Sequence, residues 1–222
     1  EEVAARAQQL LEAPPEGLEA AIDALVQRGS VTERIGAGGL RAVYLRRLEL
    51  AEAGVAAAVV ELIAADRTRP DFDVRQAMGW FQAKREIRLA DRQLEALAAA
   101  LVEPVSVVTG GPGTGKTTLI RGVIDILGAK GRTVLLAAPT GRAAKRLQEA
   151  TGADARTIHR LLEFNPKTMS FGRGRKNPLE ADLVVVDEVS MLDIELAHSL
   201  LQAVPDGCRI VLVGDADQLP SV

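Results

Sequence analysis

Apolar residues in the later part of the chain form short unbroken runs, and these runs alternate with segments in which apolar residues recur at helical spacing. The runs lie at 105–109, 133–138, 183–186 and 209–213, and the helical segments at 77–101, 115–127, 142–150 and 194–203. Strands that are apolar throughout are typical of a parallel sheet buried on both faces. Residues 71–222 are therefore predicted to form an α/β domain with helices on both faces of a parallel sheet.

The first 70 residues follow a different pattern. A helix is predicted at 17–28, two short strands at 30–35 and 40–45 around a glycine-rich turn, a long helix at 46–65, and a polar linker at 67–73. The order helix, hairpin, helix resembles part of a winged helix. We therefore predict a small α+β domain at 1–70. It could contact DNA, but a packing or partner module is favoured because the hairpin is not notably basic.

One further segment, 164–178, is rich in Gly, Lys, Arg and Asn and has little periodicity. It is predicted to be a long exposed loop, which is where functional residues often lie.

The composition is ordinary for a globular domain and argues against a membrane-spanning or disulfide-linked protein. Aromatic residues make up only 3% of the chain, so the core is predicted to consist mostly of Ala, Val, Leu and Ile. No apolar run approaches the roughly 18 residues needed to cross a bilayer, so no membrane partner is expected. The single cysteine, Cys208, excludes an internal disulfide and fits a reducing cytoplasm.

The net charge of −3 conceals an uneven distribution. Residues 121–176 include 12 basic and 4 acidic side chains, whereas residues 180–222 include 9 acidic side chains and one Arg. A basic region beside an acidic one favours a polyanionic partner on one surface. The alternative, left open by charge alone, is that these side chains are solvated on helix faces.

A phosphate-binding motif follows the strand at 105–109. The spacing G-x-x-x-x-G-K-[ST] is met by Gly110, Gly115, Lys116 and Thr117, with a helix directly afterwards. Glycines let the backbone N–H groups turn inward towards phosphate oxygens, and the helix N-terminus adds its dipole. Lys116 is expected to contact the β- and γ-phosphates of ATP, and the Thr117 hydroxyl is expected to ligate Mg²⁺.

Two acidic residues end the strand at 183–186. A carboxylate at the carboxyl end of a central parallel strand is placed to meet a bound ligand. Asp187 is therefore the predicted Mg²⁺ residue, and Glu188 is predicted to orient or deprotonate the attacking water. After the strand at 210–213, Gln218 is predicted to face the γ-phosphate if that strand neighbours the phosphate-loop strand; a polar surface loop is the alternative.

Six ordered blocks make residues 91–222 similar to a superfamily 1 helicase, and within it to the RecD-like branch. The blocks are Gln93 with its neighbours; Thr109, Gly110, Gly111, Pro112, Gly113, Thr114, Gly115, Lys116, Thr117 and Thr118; residues 138–147; residues 157–162; residues 186–192; and residues 213–222.

The resemblance implies a RecA-like P-loop NTPase domain that hydrolyses ATP and moves 5′ to 3′ on single-stranded DNA in recombination or repair. It implies that Gln93 binds the adenine edge, and it places a set of residues near DNA: Pro139, Thr140, Gly141, Arg142, Thr157 and His159. For His159, a structural role on a short helix is the alternative.

The family pattern continues into a second motor domain that supplies an arginine to the γ-phosphate, and this sequence ends after the sixth block. We therefore expect an internal fragment with poor activity of its own. Nuclease or helicase partner subunits are possible partners of the parent protein. The competing hypotheses are a P-loop ATPase switch or nucleotide kinase that binds no nucleic acid, and a non-enzymatic module whose ATP site only stabilises the fold.

Overall fold

The computed structural model describes residues 2–11, 17–35, 39, 41–65, 70–215 and 217–218. The described helices are α1 (Glu2–Leu11), α2 (Leu18–Gln27), α3 (Arg46–Ala64), α4 (Val74–Arg85), α5 (Asp91–Val102), α6 (Lys116–Ala129), α7 (Gly141–Thr151), α8 (Ile158–Leu161) and α9 (Ile194–Ala203). The described strands are β1 (Val31–Ile35), β2 (Arg41–Leu45), β3 (Val105–Thr109), β4 (Val134–Ala138), β5 (Ala155–Thr157), β6 (Phe164–Asn165), β7 (Ser170–Phe171), β8 (Leu183–Val186) and β9 (Arg209–Gly214).

The chain divides into two compact units, residues 1–54 and 55–222, and the division falls inside α3. In the first unit, β1 and β2 form an antiparallel hairpin in which Val31 lies opposite Leu45. The predicted helix, hairpin and helix are present, and α1 precedes them without having been predicted. The turn at 36–38 and the linker residues 67–69 lie outside the described residues. The domain at 1–70 and its winged-helix character stay predictions.

The second unit contains a five-stranded sheet in the order β3-β9-β8-β4-β5, and every neighbouring pair is parallel. The predicted α/β fold with a parallel sheet is therefore confirmed. Because the strands are parallel, their carboxyl ends meet at one edge. The phosphate motif, the acidic pair and the segments after β4 and β5 all begin at that edge.

Alternate residues of the central strand β8 belong to two separate cores. Leu183 and Val185 pack with buried side chains of α4, α5 and α6, whereas Val184 and Val186 pack with those of α8, α9 and the second half of α3. All four β8 side chains are fully buried. This two-residue alternation confirms that helices cover both faces of the sheet.

The segment 77–101, predicted to be mostly helical, is confirmed as helical on both sides of a short break. The segment forms two helices, α4 and α5, because Glu86 adopts a left-handed conformation (φ 53°) that ends α4. The loop after it is fixed by the Leu89 N–H, which donates to Oε1 of Gln82 (2.9 Å). The buried Leu89 side chain joins the core beneath α5.

The segment 164–178, predicted to be a long exposed loop, is exposed over most of its length, but the prediction that it lacks secondary structure is wrong. Strands β6 and β7 form a hairpin, and a bridge between Gly174 and Asn177 closes a second turn. The Phe164 and Phe171 rings lie 5.2 Å apart across the hairpin. Arg173 holds the base of the hairpin through Nε, which lies 2.8 Å from Oε1 of Glu163.

Candidate nucleotide-binding site

The phosphate motif forms a tight loop between β3 and α6. Gly113 and Gly115 have φ values of 76° and 92°, which non-glycine residues rarely adopt. The Thr114 hydroxyl donates to the Gly111 carbonyl (2.9 Å) and closes the loop on itself. Helix α6 begins directly afterwards at Lys116, and the N–H groups of its first turn have no acceptor among the residues the structure describes. These N–H groups are available to an anion.

Side-chain space around the loop explains the glycines at its two ends. A Cβ at Gly110 would lie 2.7 Å from the Thr114 hydroxyl oxygen, closer than real Cβ contacts. A Cβ at Gly115 would collide with the amide of Gln93. The loop is therefore a backbone cradle with no room for larger residues at these positions. The intervening Gly111, Pro112 and Gly113 line the curl, and Thr118 continues α6.

The Lys116 ammonium lies inside this curl. Its Nζ donates to the carbonyl oxygens of Gly110 and Gly111, the latter at 3.0 Å. The side chain is half-buried. A positive charge is thus held within the phosphate loop, at the start of α6, and this charge favours an anion.

Asp187 and Glu188 follow β8 at the same edge of the sheet. The Asp187 N–H donates to the Ala137 carbonyl (2.9 Å), and its Oδ1 accepts from the Glu188 N–H (3.0 Å). Burial raises the pKa of the Asp187 carboxyl above its usual range, and the Glu188 charge raises that pKa further. The Glu188 N–H and the charge of Lys116 both lower it.

The oxygen ligands beside the phosphate loop suit a cation that takes only some of its ligands from the protein. No group of three or more His, Cys, Asp or Glu side chains that could hold a metal is found within the described ranges. Mg²⁺ is commonly bound by one or two protein oxygens together with substrate phosphates and water. The Thr117 hydroxyl, at the start of α6, and the Asp187 carboxylate suit that role.

Glu188 has an unusual backbone conformation. Its φ is 56°, and it precedes a 3₁₀ turn at Val189–Met191. A non-glycine residue in this region costs about 1–3 kcal/mol and persists only where the surroundings enforce it. The strained residue is thus the one that is predicted to orient or deprotonate the attacking water.

Gln218 follows β9, and β9 lies next to the phosphate-loop strand β3, as the prediction required. Its side-chain Nε2 lies 3.4 Å from Oδ2 of Asp215, and the Asp217 N–H donates to Oδ1 of the same residue (3.1 Å). Asp215 is buried. Sequence reasoning did not single out Asp215, although a carboxylate directly after an apolar strand was the available signal. Ala216 and residues 219–222 of the sixth block lie outside the described residues.

Gln93 is half-buried in the first turn of α5 and lies against the phosphate loop. Its Nε2 donates to the Thr114 carbonyl (2.9 Å), and its Oε1 accepts from the Ala90 N–H (3.0 Å). Gln93 also lines a cavity bounded by Ala96, Leu119 and the loop. Its predicted contact with adenine stays a prediction.

The segments predicted to contact DNA follow β4 and β5, which are adjacent parallel strands with Ala138 opposite Thr157. Thr140 and Thr157 each cap a helix: their hydroxyls accept from the N–H groups of Ala143 and Arg160, both at 3.2 Å. Pro139, Gly141 and Arg142 complete the turn into α7. The structure brings the N-termini of α7 and α8 to the same edge as the phosphate loop.

The His159 ring packs against the hairpin β6–β7. It lies 5.4 Å from the Phe164 ring in an edge-on arrangement and 5.8 Å from the Phe171 ring. The residue remains exposed. Its surroundings are compatible with a structural role, and its predicted role in binding DNA stays a prediction.

Five of the 12 basic side chains of residues 121–176 form ion pairs with carboxylates in the described structure. Arg132 pairs with Asp71 and Asp182, and further pairs are Arg156–Asp154, Arg173–Glu163, Arg175–Glu61 and Lys145–Glu149. In the described part of the chain, Arg142, Arg146 and Arg160 form no ion pair. Arg121, Lys130, Lys167 and Lys176 likewise form none among the described residues. The three arginines lie on α7 and α8, so part of the uncompensated positive charge lies beside the predicted DNA segments.

A profile of the AAA domain family matches residues 93–222, which is more than half of the chain. The chain belongs to this family. The match begins at Gln93 and includes the phosphate loop, the acidic pair and Gln218.

Individual proteins extend the similarity. The chain is 38% identical over 211 residues to the ATP-dependent RecD2 DNA helicase of Deinococcus radiodurans, covering 91% of this chain and 29% of that protein. It is 40% identical over 204 residues to the RecBCD enzyme subunit RecD of Mycolicibacterium smegmatis, covering 81% of this chain and 35% of that protein. The chain thus spans about a third of the length of these relatives.

Among solved structures, a Pif1 helicase from Candida albicans is similar over 61% of this chain and 34% of its own, with 27% sequence identity and a TM-score of 0.42. No helix within the described residues is both long enough and apolar enough to cross a membrane.

Proposed function

We propose that the chain is the ATP-binding motor domain of a DNA helicase that moves 5′ to 3′ along single-stranded DNA. The observation that carries the proposal is the single sheet edge that holds the phosphate loop, the pair Asp187 and Glu188, and the N-termini of α7 and α8. One end of this edge suits a nucleoside triphosphate, and the other suits a phosphodiester chain. The name of one relative, the ATP-dependent RecD2 DNA helicase, supports the same activity, and the direction of movement rests on the family resemblance.

In this proposal, Lys116 exchanges its bonds to the loop carbonyls for bonds to the β- and γ-phosphates of ATP, and the first N–H groups of α6 bind the same oxygens. Thr117 and Asp187 would hold Mg²⁺, which would neutralise phosphate charge. Glu188 accepts a proton from the water that attacks the γ-phosphorus. The bond from that phosphorus to the bridging oxygen breaks, and ADP and phosphate are released. Gln218 reports whether the γ-phosphate is present.

DNA lies across the carboxyl ends of β4 and β5 in this scheme. The Thr140 and Thr157 hydroxyls already cap helices, so the free N–H groups of those helix ends and the Arg142 guanidinium are the groups left to bind phosphates. Residues 137 of β4 and 187 after β8 are joined by a backbone hydrogen bond. A change at the acidic pair can thus be passed to the DNA segments through neighbouring strands.

The proposal extends to the protein that contains this domain. A second motor domain would supply an arginine to the γ-phosphate, and such a residue contributes about three to five powers of ten in rate. Hydrolysis by these 222 residues alone is therefore expected to be slow. Nuclease or helicase partner subunits, a role in recombination or repair, and a cytoplasmic location are part of the same proposal; the buried Cys208 suits a reducing compartment.

The test is DNA binding by the 222-residue chain, measured by fluorescence anisotropy of a labelled oligothymidylate in the presence of Mg²⁺ and a non-hydrolysable ATP analogue. Binding should weaken steeply as salt rises, and Arg142→Ala should lower the salt slope by about one. Lys176→Ala is the matched control. Nucleotide binding without any DNA binding at low salt would instead favour an ATPase switch or a nucleotide kinase.

A further inference from the structure

Apart from its junction with α6, where the Leu119 N–H donates to the Gly115 carbonyl (3.0 Å), the phosphate loop is joined to the rest of the domain by two hydrogen bonds in the described structure. At its start, the Gly110 N–H donates to the Gly214 carbonyl of β9 (3.3 Å). Near its end, the Thr114 carbonyl accepts from Nε2 of Gln93 (2.9 Å). The bonds made by the Thr114 hydroxyl and by Lys116 are internal to the loop. Internal bonds maintain the curl of the loop but do not fix its position on the domain.

The position of Gln93 follows from helix packing. Gln93 and Leu97 lie one turn apart on the same face of α5. Leu97 is fully buried against α6, where a Cβ at Gly122 would lie 3.1 Å from both Leu97 methyl carbons. The close approach of the two helices therefore directs Gln93 at the loop that precedes α6. The bond from the Ala90 N–H to Oε1 fixes the amide from the other side.

The loop backbone is shaped to receive this amide. Gly115 has a φ of 92°, and any Cβ there would collide with Nε2 of Gln93. The glycine thus permits both the turn and the contact. The Gln93 side chain is half-buried, and its two hydrogen bonds have ordinary lengths.

We propose that Gln93 is a positioning residue that holds the phosphate loop in its anion-binding conformation whether or not a base is bound. A glutamine amide has two N–H donors and two acceptor lone pairs. The contacts with Thr114 and Ala90 use one N–H donor and one lone pair. The other N–H and the other lone pair are left to bind the edge of a purine. Positioning of the loop and recognition of the base are separate uses of one side chain. The inference rests on the proposed function, since it requires that the loop binds a triphosphate.

The test uses inorganic tripolyphosphate, which has the phosphates of ATP and no base. Its affinity and that of ATP are measured by isothermal titration calorimetry in Mg²⁺ on the 222-residue chain. The variant is Gln93→Met, which keeps the side-chain volume and loses both hydrogen bonds. Gln93→Asn is a second variant, which keeps an amide that is one methylene too short to reach Thr114. Gln76→Ala, an exposed glutamine on α4, is the matched control.

We expect Gln93→Met and Gln93→Asn to lower the affinity for tripolyphosphate about 2- to 12-fold, which is the effect of losing one net hydrogen bond. The affinity for ATP should fall at least as much, and Gln76→Ala should change the affinity for neither ligand. In the nucleotide-free protein, both Gln93 variants should shift the backbone amide resonance of Gly115. Loss of ATP affinity with unchanged tripolyphosphate affinity would overturn the proposal in favour of base recognition alone. If the unmodified chain bound neither ligand, the phosphate site itself would be refuted, and the role of Gln93 with it.

Discussion

The consequence of replacing Lys116 can be worked out from the two loop carbonyls that its ammonium contacts. In a partly screened site with an effective dielectric constant of about 20, two unit charges at about 4 Å attract by about 4 kcal/mol. Binding a phosphate requires Lys116 to give up two hydrogen bonds, each worth about 1 kcal/mol. The net contribution to binding is then about 2 kcal/mol, or roughly 30-fold in affinity.

We therefore expect Lys116→Ala to weaken Mg²⁺-ATP binding roughly 30-fold and to abolish hydrolysis in a protein that carries the domain. Affinity is measured by calorimetry on the 222-residue chain, and thermal unfolding checks that the fold is retained. Lys176→Ala, in the hairpin region, is the control because it removes the same charge away from the loop.

Unchanged affinity or retained turnover in Lys116→Ala would refute the role given to the ammonium. A loss of ATP affinity beyond about 1,000-fold, equivalent to about 4 kcal/mol, would contradict the subtraction made for the two hydrogen bonds that Lys116 gives up. It would mean that the bonds to Gly110 and Gly111 do not compete with phosphate.

Three further predictions concern other side chains. Burial raises the pKa of the Asp125 carboxyl, but the hydrogen bond and charge of Arg85, with the charge of Lys84, hold that pKa below its usual range. The ion pair therefore stabilises the folded state at pH values above the ordinary carboxyl pKa, and this stabilisation is lost as pH falls and the carboxyl is protonated. Asp125→Asn should therefore lower the free energy of unfolding at pH 7 and have less effect in acid, as urea denaturation across pH would show; a pH-independent effect would contradict the ion pair. Phe81→Ala should cost about 3–5 kcal/mol in the same assay, because the buried ring packs between α5 and α6; a cost under about 1 kcal/mol would argue against that packing. Gln218→Ala should spare ATP binding but reduce unwinding per ATP hydrolysed in the helicase that carries the domain, and normal coupling would refute a sensor role.

The parallel sheet was predictable because four of its five strands are mostly apolar runs that alternate with helices, whereas the edge strand β5, Ala-Arg-Thr, has no such run and was not predicted. Strand β8 shows why: its four side chains face two cores in turn, so every position must be apolar. The phosphate loop was predictable because the positive φ values of Gly113 and Gly115 are a local backbone requirement that glycine meets without strain. Both signals are local in the sequence.

Other features depend on contacts between distant residues. The break at Glu86 is invisible in a helical pattern because a left-handed glutamate is set by the packing of Leu89 and the bond to Gln82. The hairpin β6–β7 has strands of only two residues, too short for alternation to be recognised. Likewise, the bond from Gln93 to Thr114 joins residues 21 positions apart and follows only from how α5 packs on α6.

The strand order has a consequence for how the chain behaves in concentrated solution. Strand β3 lies at one side of the sheet, its Val107 side chain is 65% exposed, and its outer backbone groups pair with no strand in the described structure. Unpaired strand edges with exposed apolar residues act as templates for pairing with other chains. Edge-to-edge association of two copies through β3, one of the two edges of the sheet, would involve the strand that leads directly into the phosphate loop.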